Sequence, residues 1–223
     1  MGPITILVLA ILGFALIAVV MAMARAPQAQ PLPAPGRAAT PTAAPPPAAD
    51  PLESDPWDAR KGDVISISGA AQDYSDLDFP VDRRSAYESG NRRWVDLSGE
   101  FRGRRVYLEV YRYPQKDLIG ILDAKKLTLA DIGLTEEQLA DLDSRQDQNA
   151  SIEYEGKRWH YDSSREIGYF ENEGTEAEGL YRWLFQEKDG SRLICIEKWE
   201  GEPFDVRLAR RLNAQDITVY RAA

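Results

Sequence analysis

A chain of 223 residues with 36 acidic and 27 basic side chains, one cysteine and one histidine excludes several classes at once. An internal disulfide needs a second cysteine, and a metal centre or catalytic pair built on two histidines cannot be assembled from His160 alone. The signs are mixed along the chain and the net charge is −9, so no basic face is left to neutralise phosphates, and nucleic acid is not expected as a partner.

Residues 3–24 are uncharged and rich in Ile, Leu, Val and Ala. At ~1.5 Å per residue a helix of that length covers the ~30 Å hydrocarbon core. Residues 1–25 therefore read as a single-pass membrane anchor. A cleaved signal peptide is the competing reading; the missing Lys or Arg before the apolar run, and the length of that run, weigh against it. Arg25 and Arg37 follow the span with no acid before Asp50. By the positive-inside tendency the rest of the chain is expected on the cytoplasmic side of the inner membrane, with the periplasmic side as the alternative. Residues 26–56 are largely Pro and Ala, a composition too poor in apolar bulk to offset its ordering entropy, and read as a disordered tether.

Beyond the tether the sequence repeats itself. GRRVYLEVY (103–111) returns as GSRLICIEKW (190–199), and AKKLTLADI (124–132) as ARRLNAQDI (209–217). Ile65, Ile67, Gly69 and Tyr74 match Ile152, Tyr154, Gly156 and Tyr161, and Trp94 matches Trp183. The expected fold is mainly β, α+β with minor helix: two tandem, internally duplicated antiparallel β-rich modules, residues 57–134 and 149–223, behind the transmembrane helix. The roughly 167 residues concerned are enough to bury about 70% of the surface exposed by the unfolded chain.

Alternation and turn chemistry place strands over residues 94–97, 106–111, 181–187 and 193–199. Arg102-Gly103, Glu155-Gly156 and Asp189-Gly190 read as two-residue hairpin turns, for which both positions take positive φ. The arm from Trp to turn is two residues longer in the first copy, an even change that should leave every side chain on its original face. Between the modules, residues 135–148 form a linker helix running to about Asp143. Thr135 is its N-cap, Gln138 closes a capping box, and Leu134 packs on Leu139.

No glycine-rich phosphate loop, paired-cysteine metal spacing or serine elbow is present in the sequence. No catalytic residue, metal ligand or cofactor is therefore assigned. Cys195, between Ile194 and Ile196, reads as a buried inert thiol, Asp131 and Asp216 as turn or cap residues, and Trp94 and Trp183 as core. The candidates that remain are carboxylates beside aromatics. Tyr107, Glu109 and Tyr111 share one strand face, as do Cys195, Glu197 and Trp199. Each Glu is expected to pair with a basic neighbour, Arg105 or Arg192. If the two modules pack about a pseudo-two-fold axis, Glu109 and Glu197 meet in an acidic cleft edged by Tyr111 and Trp199, suited to a cationic ligand such as a polyamine.

The stretches LTLADIGLTEEQLADLD, SIEYEGKRWHY and LYRWLFQEKDGSRLICIEKWEGEPFDVRL resemble the bacterial family called domain of unknown function 4178, over roughly residues 60–220. The resemblance implies a shared fold and no reaction, cofactor or catalytic residue; the anchor and tether fall outside its pattern. The function expected from these features is a membrane-tethered, non-enzymatic β-rich binding module for a partner protein or a small cationic ligand. An enzyme using Glu109 and Glu197 as an acid/base pair is the alternative.

Overall fold

The computed structural model describes residues 55–123 and 125–222. The expected transmembrane helix, and all of the tether but its last two residues, lie outside the described residues. Among the described residues no helix is long and apolar enough to cross a membrane.

The strands are β1 (Val64–Ile67), β2 (Leu77–Pro80), β3 (Arg83–Ser89), β4 (Arg92–Phe101), β5 (Arg104–Tyr111), β6 (Asp117–Ile121) and β7 (Lys126–Leu127), then, after the one α-helix described, α1 (Glu136–Arg145), β8 (Ser151–Tyr154), β9 (Lys157–Phe170), β10 (Glu178–Glu187), β11 (Arg192–Trp199), β12 (Asp205–Arg211) and β13 (Ile217–Tyr220). Short turns make β3 to β6 one antiparallel meander and β9 to β12 another. Hydrogen bonds between β3 and β9 and between β6 and β12 then close the eight strands into an antiparallel barrel, in the order β3, β4, β5, β6, β12, β11, β10, β9. Closure leaves no free edge within the ring. The short β7 and β8 hang on β12 and β9, while β1 lies between β2 and β13 in a separate three-stranded sheet. The expectation of a mainly β chain with minor helix holds, but the two tandem modules expected over residues 57–134 and 149–223 do not form separately: β3 to β6 and β9 to β12 close into one barrel, since β3 pairs with β9 and β6 with β12.

Alternation sends successive side chains to opposite faces of the wall. On β5, Val106, Leu108 and Val110 point outward and pack with Ile65, Phe79 and Val219 of the small sheet. On β11, Ile194 and Ile196 point outward onto Leu139 and Leu142 of α1. The inner face of the same strands carries Tyr107, Glu109 and Tyr111, and Leu193, Cys195 and Glu197. The barrel is thus covered outside by one sheet and one helix, and its polar groups are turned inward. Close approach of β2 to β4 requires Gly99, because a Cβ there would sit 2.1 Å from the Pro80 carbonyl oxygen.

Two of the three expected hairpin turns form with both residues at positive φ: Arg102 and Gly103 at 49° and 75°, Glu155 and Gly156 at 52° and 69°. The third differs. Only Gly190 is left-handed, because the Asp189 carboxylate accepts hydrogen bonds from the Ser191 N–H at 2.9 Å and hydroxyl at 2.8 Å, which holds a longer loop closed. The matching of Trp94 with Trp183 also fails. Trp94 stands opposite Tyr111 and points into the barrel, whereas Trp183 stands opposite Ile196 and points out toward α1. Both are buried as expected, but on opposite sides of the wall, since the inward positions of β10 are offset by one residue from those of β4 when counted from their turns.

Helix α1 begins as read. The Thr135 hydroxyl accepts from the Gln138 N–H, and the Gln138 side chain accepts from the Thr135 N–H at 2.9 Å. Leu134 and Leu139 are buried in one cluster, and at the other end Asp143 accepts from Ser164 and Tyr181 of the barrel wall. Thr135→Ala should cost about 1 kcal/mol of stability, read as a lowered urea midpoint with unchanged slope; an unchanged midpoint would show that the cap is energetically idle.

Candidate functional site

The inward face of β10 reads Leu180, Arg182, Leu184, so one guanidinium is carried between two leucines into the barrel interior. Arg182 is only 3% exposed, and burying a charge this deeply is stable only if its donors are taken up. Both predicted glutamates do this. Arg182 donates from Nη1 to Glu109 Oε2 at 3.1 Å and lies 2.7 Å through Nη2 from Glu109 Oε1. It also donates from Nε and Nη2 to Glu197 Oε1 at 2.9 and 2.5 Å. Burial opposes its charge, but Glu109 and Glu197 outweigh that and hold it firmly protonated.

The expected partners Arg105 and Arg192 are engaged elsewhere. Arg105 donates to Asp82 and Ser98, and Arg192 to Glu187. Each stands only a residue or two from its hairpin turn, while Glu109 and Glu197 lie deep in the barrel. Fork geometry and burial make Arg182 the partner instead.

Aromatic rings complete the enclosure. Tyr87, Trp94 and Tyr111 stack in sequence, with centroids 5.4 and 5.1 Å apart. The Arg182 guanidinium lies over the first two at 5.2 and 5.7 Å. The Tyr111 hydroxyl donates to Glu109 Oε2 at 2.8 Å, and Trp199 meets Tyr169 edge-on at 5.2 Å. All four residues picked from the sequence, Glu109, Tyr111, Glu197 and Trp199, therefore belong to one enclosure. Tyr111 and the two glutamates form its floor with Arg182, and Trp199 stands in its wall.

Above that floor is a cavity of about 320 Å³ at one end of the barrel, walled by Tyr87, Tyr107, Tyr169 and Trp199, with Glu171 and Glu178 at its edge. Arg83 and Arg207 also line it, each with its own acid: Arg83 is 3.5 Å from Glu171, and Arg207 pairs with Asp205 and lies over the Tyr107 ring at 4.8 Å. Asp96 lines the same cavity and is 3% exposed. It stands directly opposite Glu109 in the β4–β5 ladder, yet its side chain makes no hydrogen bond or ion pair among the described residues. Burial, and then the Glu109 charge, push its pKa up to about 8.

The family described as Domain of unknown function (DUF4178) matches residues 68–214. The chain belongs to this family. The match covers the whole barrel from β3 to β12 together with α1, so the enclosure around Arg182 lies inside the family domain. No match to the chain was found among curated proteins or among solved structures.

Other sequence candidates fall away from this DUF4178 cavity. Cys195 is buried in the barrel with its thiol pKa pushed up to about 12 by burial, which makes it a poor nucleophile. His160 sits on β9 opposite Gln186, remote from the inner cluster in the ladder. Asp131 closes a turn by accepting from the Thr128 N–H at 2.7 Å. Among the described residues no group of three or more His, Cys, Asp or Glu is placed to hold a metal ion.

Arg182 and Asp96 are the members that the sequence reading missed, and each left a signal. Arg182 is a charge at an inward position of the strand GLYRWLF, between two leucines of the same parity. Asp96 and Glu109 are equidistant from the Arg102-Gly103 turn, so counting back from the turn sets two acids face to face.

Proposed function

We propose that the domain is a binding barrel for a small organic ammonium ion, taken into the cavity above Asp96. The observation that carries this is Asp96 itself: a carboxyl buried in an aromatic-walled pocket, with no hydrogen-bond partner among the described residues and with Glu109 directly opposite. A group so placed destabilises the fold unless something else needs it. An ammonium supplies both what the carboxylate lacks, N–H donors and positive charge, and a cation for the faces of Tyr87, Tyr169 and Trp199. A volume near 320 Å³ lies at the small end of the range for ligand pockets, which favours a compact amine or one end of a longer one. Glu178 at the rim, exposed and without an ion-pair partner among the described residues, adds attraction at the entrance.

Glu109 and Glu197 are both held by Arg182, which argues against their use as an acid/base pair and leaves binding as the simpler role. We further infer that the barrel descends from a duplicated four-strand unit. In support, β3 meets β9 and β6 meets β12, each antiparallel, the pairing a two-fold axis through the barrel wall would give. The cytoplasmic placement behind the anchor of residues 1–25 belongs to the same proposal and rests on Arg25 and Arg37.

Calorimetric titration of the full-length protein with n-butylammonium and with spermidine tests the ligand class. Saturable binding is expected at low salt, weaker at physiological salt, and none for n-butanol, which has the same chain without the charge. No saturable heat from either amine at low salt would overturn the reading.

A further inference from the structure

Within the barrel the buried acids outnumber the cation that holds them. Arg182 brings a single positive charge to Glu109 and Glu197 together. Asp96, on β4, is faced by Glu109 from β5, by Arg83 and Tyr87 from β3, by Arg182 from β10 and by Glu197 from β11. Tyr107, Tyr169 and Arg207 line the cavity around it from β5, β9 and β12. Tyr87 and Tyr111 have hydroxyl pKa values raised by burial and stay neutral. Of the charged groups, Arg83 and Arg182 favour an ionised Asp96, while Glu109 and Glu197 oppose it. Arg182 is taken up by Glu109 and Glu197, and Arg83, 3.5 Å from Glu171, makes no ion pair with Asp96, so an ionised Asp96 adds a buried negative charge with no cation in contact with it.

A ligand ammonium reverses that balance by bringing the missing cation. We infer that the cavity is a cation–proton exchange site, in which one ammonium group enters against Asp96 as the Asp96 proton leaves to solvent. The inference rests on the ammonium reading above. The step balances simply: the Asp96 O–H bond breaks, its proton passes to water, the electron pair stays on the carboxylate, and no bond to the ligand is made beyond hydrogen bonds and charge contact. Total charge within the barrel is the same before and after. With the Asp96 pKa at about 8, the proton is in place at neutral pH and is held loosely enough to be displaced.

Titration of the full-length protein with n-butylammonium, in paired buffers of different ionisation enthalpy, counts the protons released. An alkylammonium stays charged up to about pH 9, as a lysine side chain does. Close to one proton per amine is expected at about pH 6.5 and close to none at about pH 9, with affinity rising about tenfold per pH unit until it levels near pH 8. Asp96→Asn should bind at least about tenfold more weakly, with no proton release and no pH dependence of affinity between those limits. Glu178→Gln should bind more weakly with proton release intact. Saturable binding without proton release at about pH 6.5, or release lost in Glu178→Gln and kept in Asp96→Asn, would overturn the exchange while leaving ammonium binding in place. Absence of binding at every pH would overturn both.

Discussion

Replacing Asp96 by Asn is expected to stabilise the folded protein at neutral pH. In the unfolded chain this carboxyl ionises near its ordinary value of 3.8; in the barrel it holds its proton up to about pH 8. Folding at pH 7 therefore takes up a proton, at a cost bounded by about 4 kcal/mol at roughly 1.4 kcal/mol per pH unit. An acid whose pKa is raised by folding contributes no such cost below about pH 4. The cost grows between the two pKa values and is constant above about pH 8. Asparagine has no proton to take up, though its amide is left with buried donors that return part of the gain. The expected net effect is about 1–3 kcal/mol at pH 7, visible as a melting temperature several degrees higher. Urea unfolding of both proteins at pH 5 and pH 8 is the check, because titration elsewhere in the chain cancels in the difference. A difference that does not change with pH would mean that Asp96 ionises normally in the folded state. A variant that gains stability and loses ammonium affinity would show the trade-off expected of a binding residue.

The placement of Asp96 and Arg182 also shows what the sequence encodes locally and what it does not. Period-2 alternation in RRVYLEVY and RLICIEKW put Tyr111 beside Glu109 and Trp199 beside Glu197, and the barrel keeps both pairs on its inner face. The capping box at Thr135 and the turns at Arg102-Gly103 and Glu155-Gly156 were legible because each depends on neighbours within four residues. Arg182 reaches Glu109 across 73 residues of sequence, and no local pattern specifies such a pair. Nearby arginines at 105 and 192 were the obvious partners on proximity, yet both spend their charge beside the hairpin ends. Repeat matching misled for a related reason. Identity of residue type equated Trp94 with Trp183, but face is set by register, and a one-residue offset between the hairpins turns one indole inward and the other outward. Barrel closure depends on β9, whose 14 residues pair in turn with β8, β10 and β3; in sequence it reads as a short hairpin strand followed by polar residues.

Arg182→Met should be the most damaging substitution in the inner cluster. It removes the one cation that holds Glu109 and Glu197, leaving two carboxylates buried together without a counter-charge, for which the expected loss is about 3–5 kcal/mol. Methionine fills much of the arginine stem, so a cavity is not the main source of the loss. Adding Glu109→Gln and Glu197→Gln in the same chain removes the stranded charges, and the triple variant should recover most of the stability, because a buried ion cluster seldom outperforms neutral groups of similar volume. Urea midpoints of the single, double and triple variants measure this directly. A tolerated Arg182→Met, within about 1 kcal/mol of the parent, would mean that the two carboxylates do not depend on Arg182 for a counter-charge, and burial alone would then be left to hold Asp96 protonated. If the triple variant folds as well as the parent, the Arg182 cluster is not kept for stability. Its role is then to fix a negative field beneath the cavity, and the triple variant should bind n-butylammonium more weakly although Asp96 and every cavity-wall aromatic remain in place.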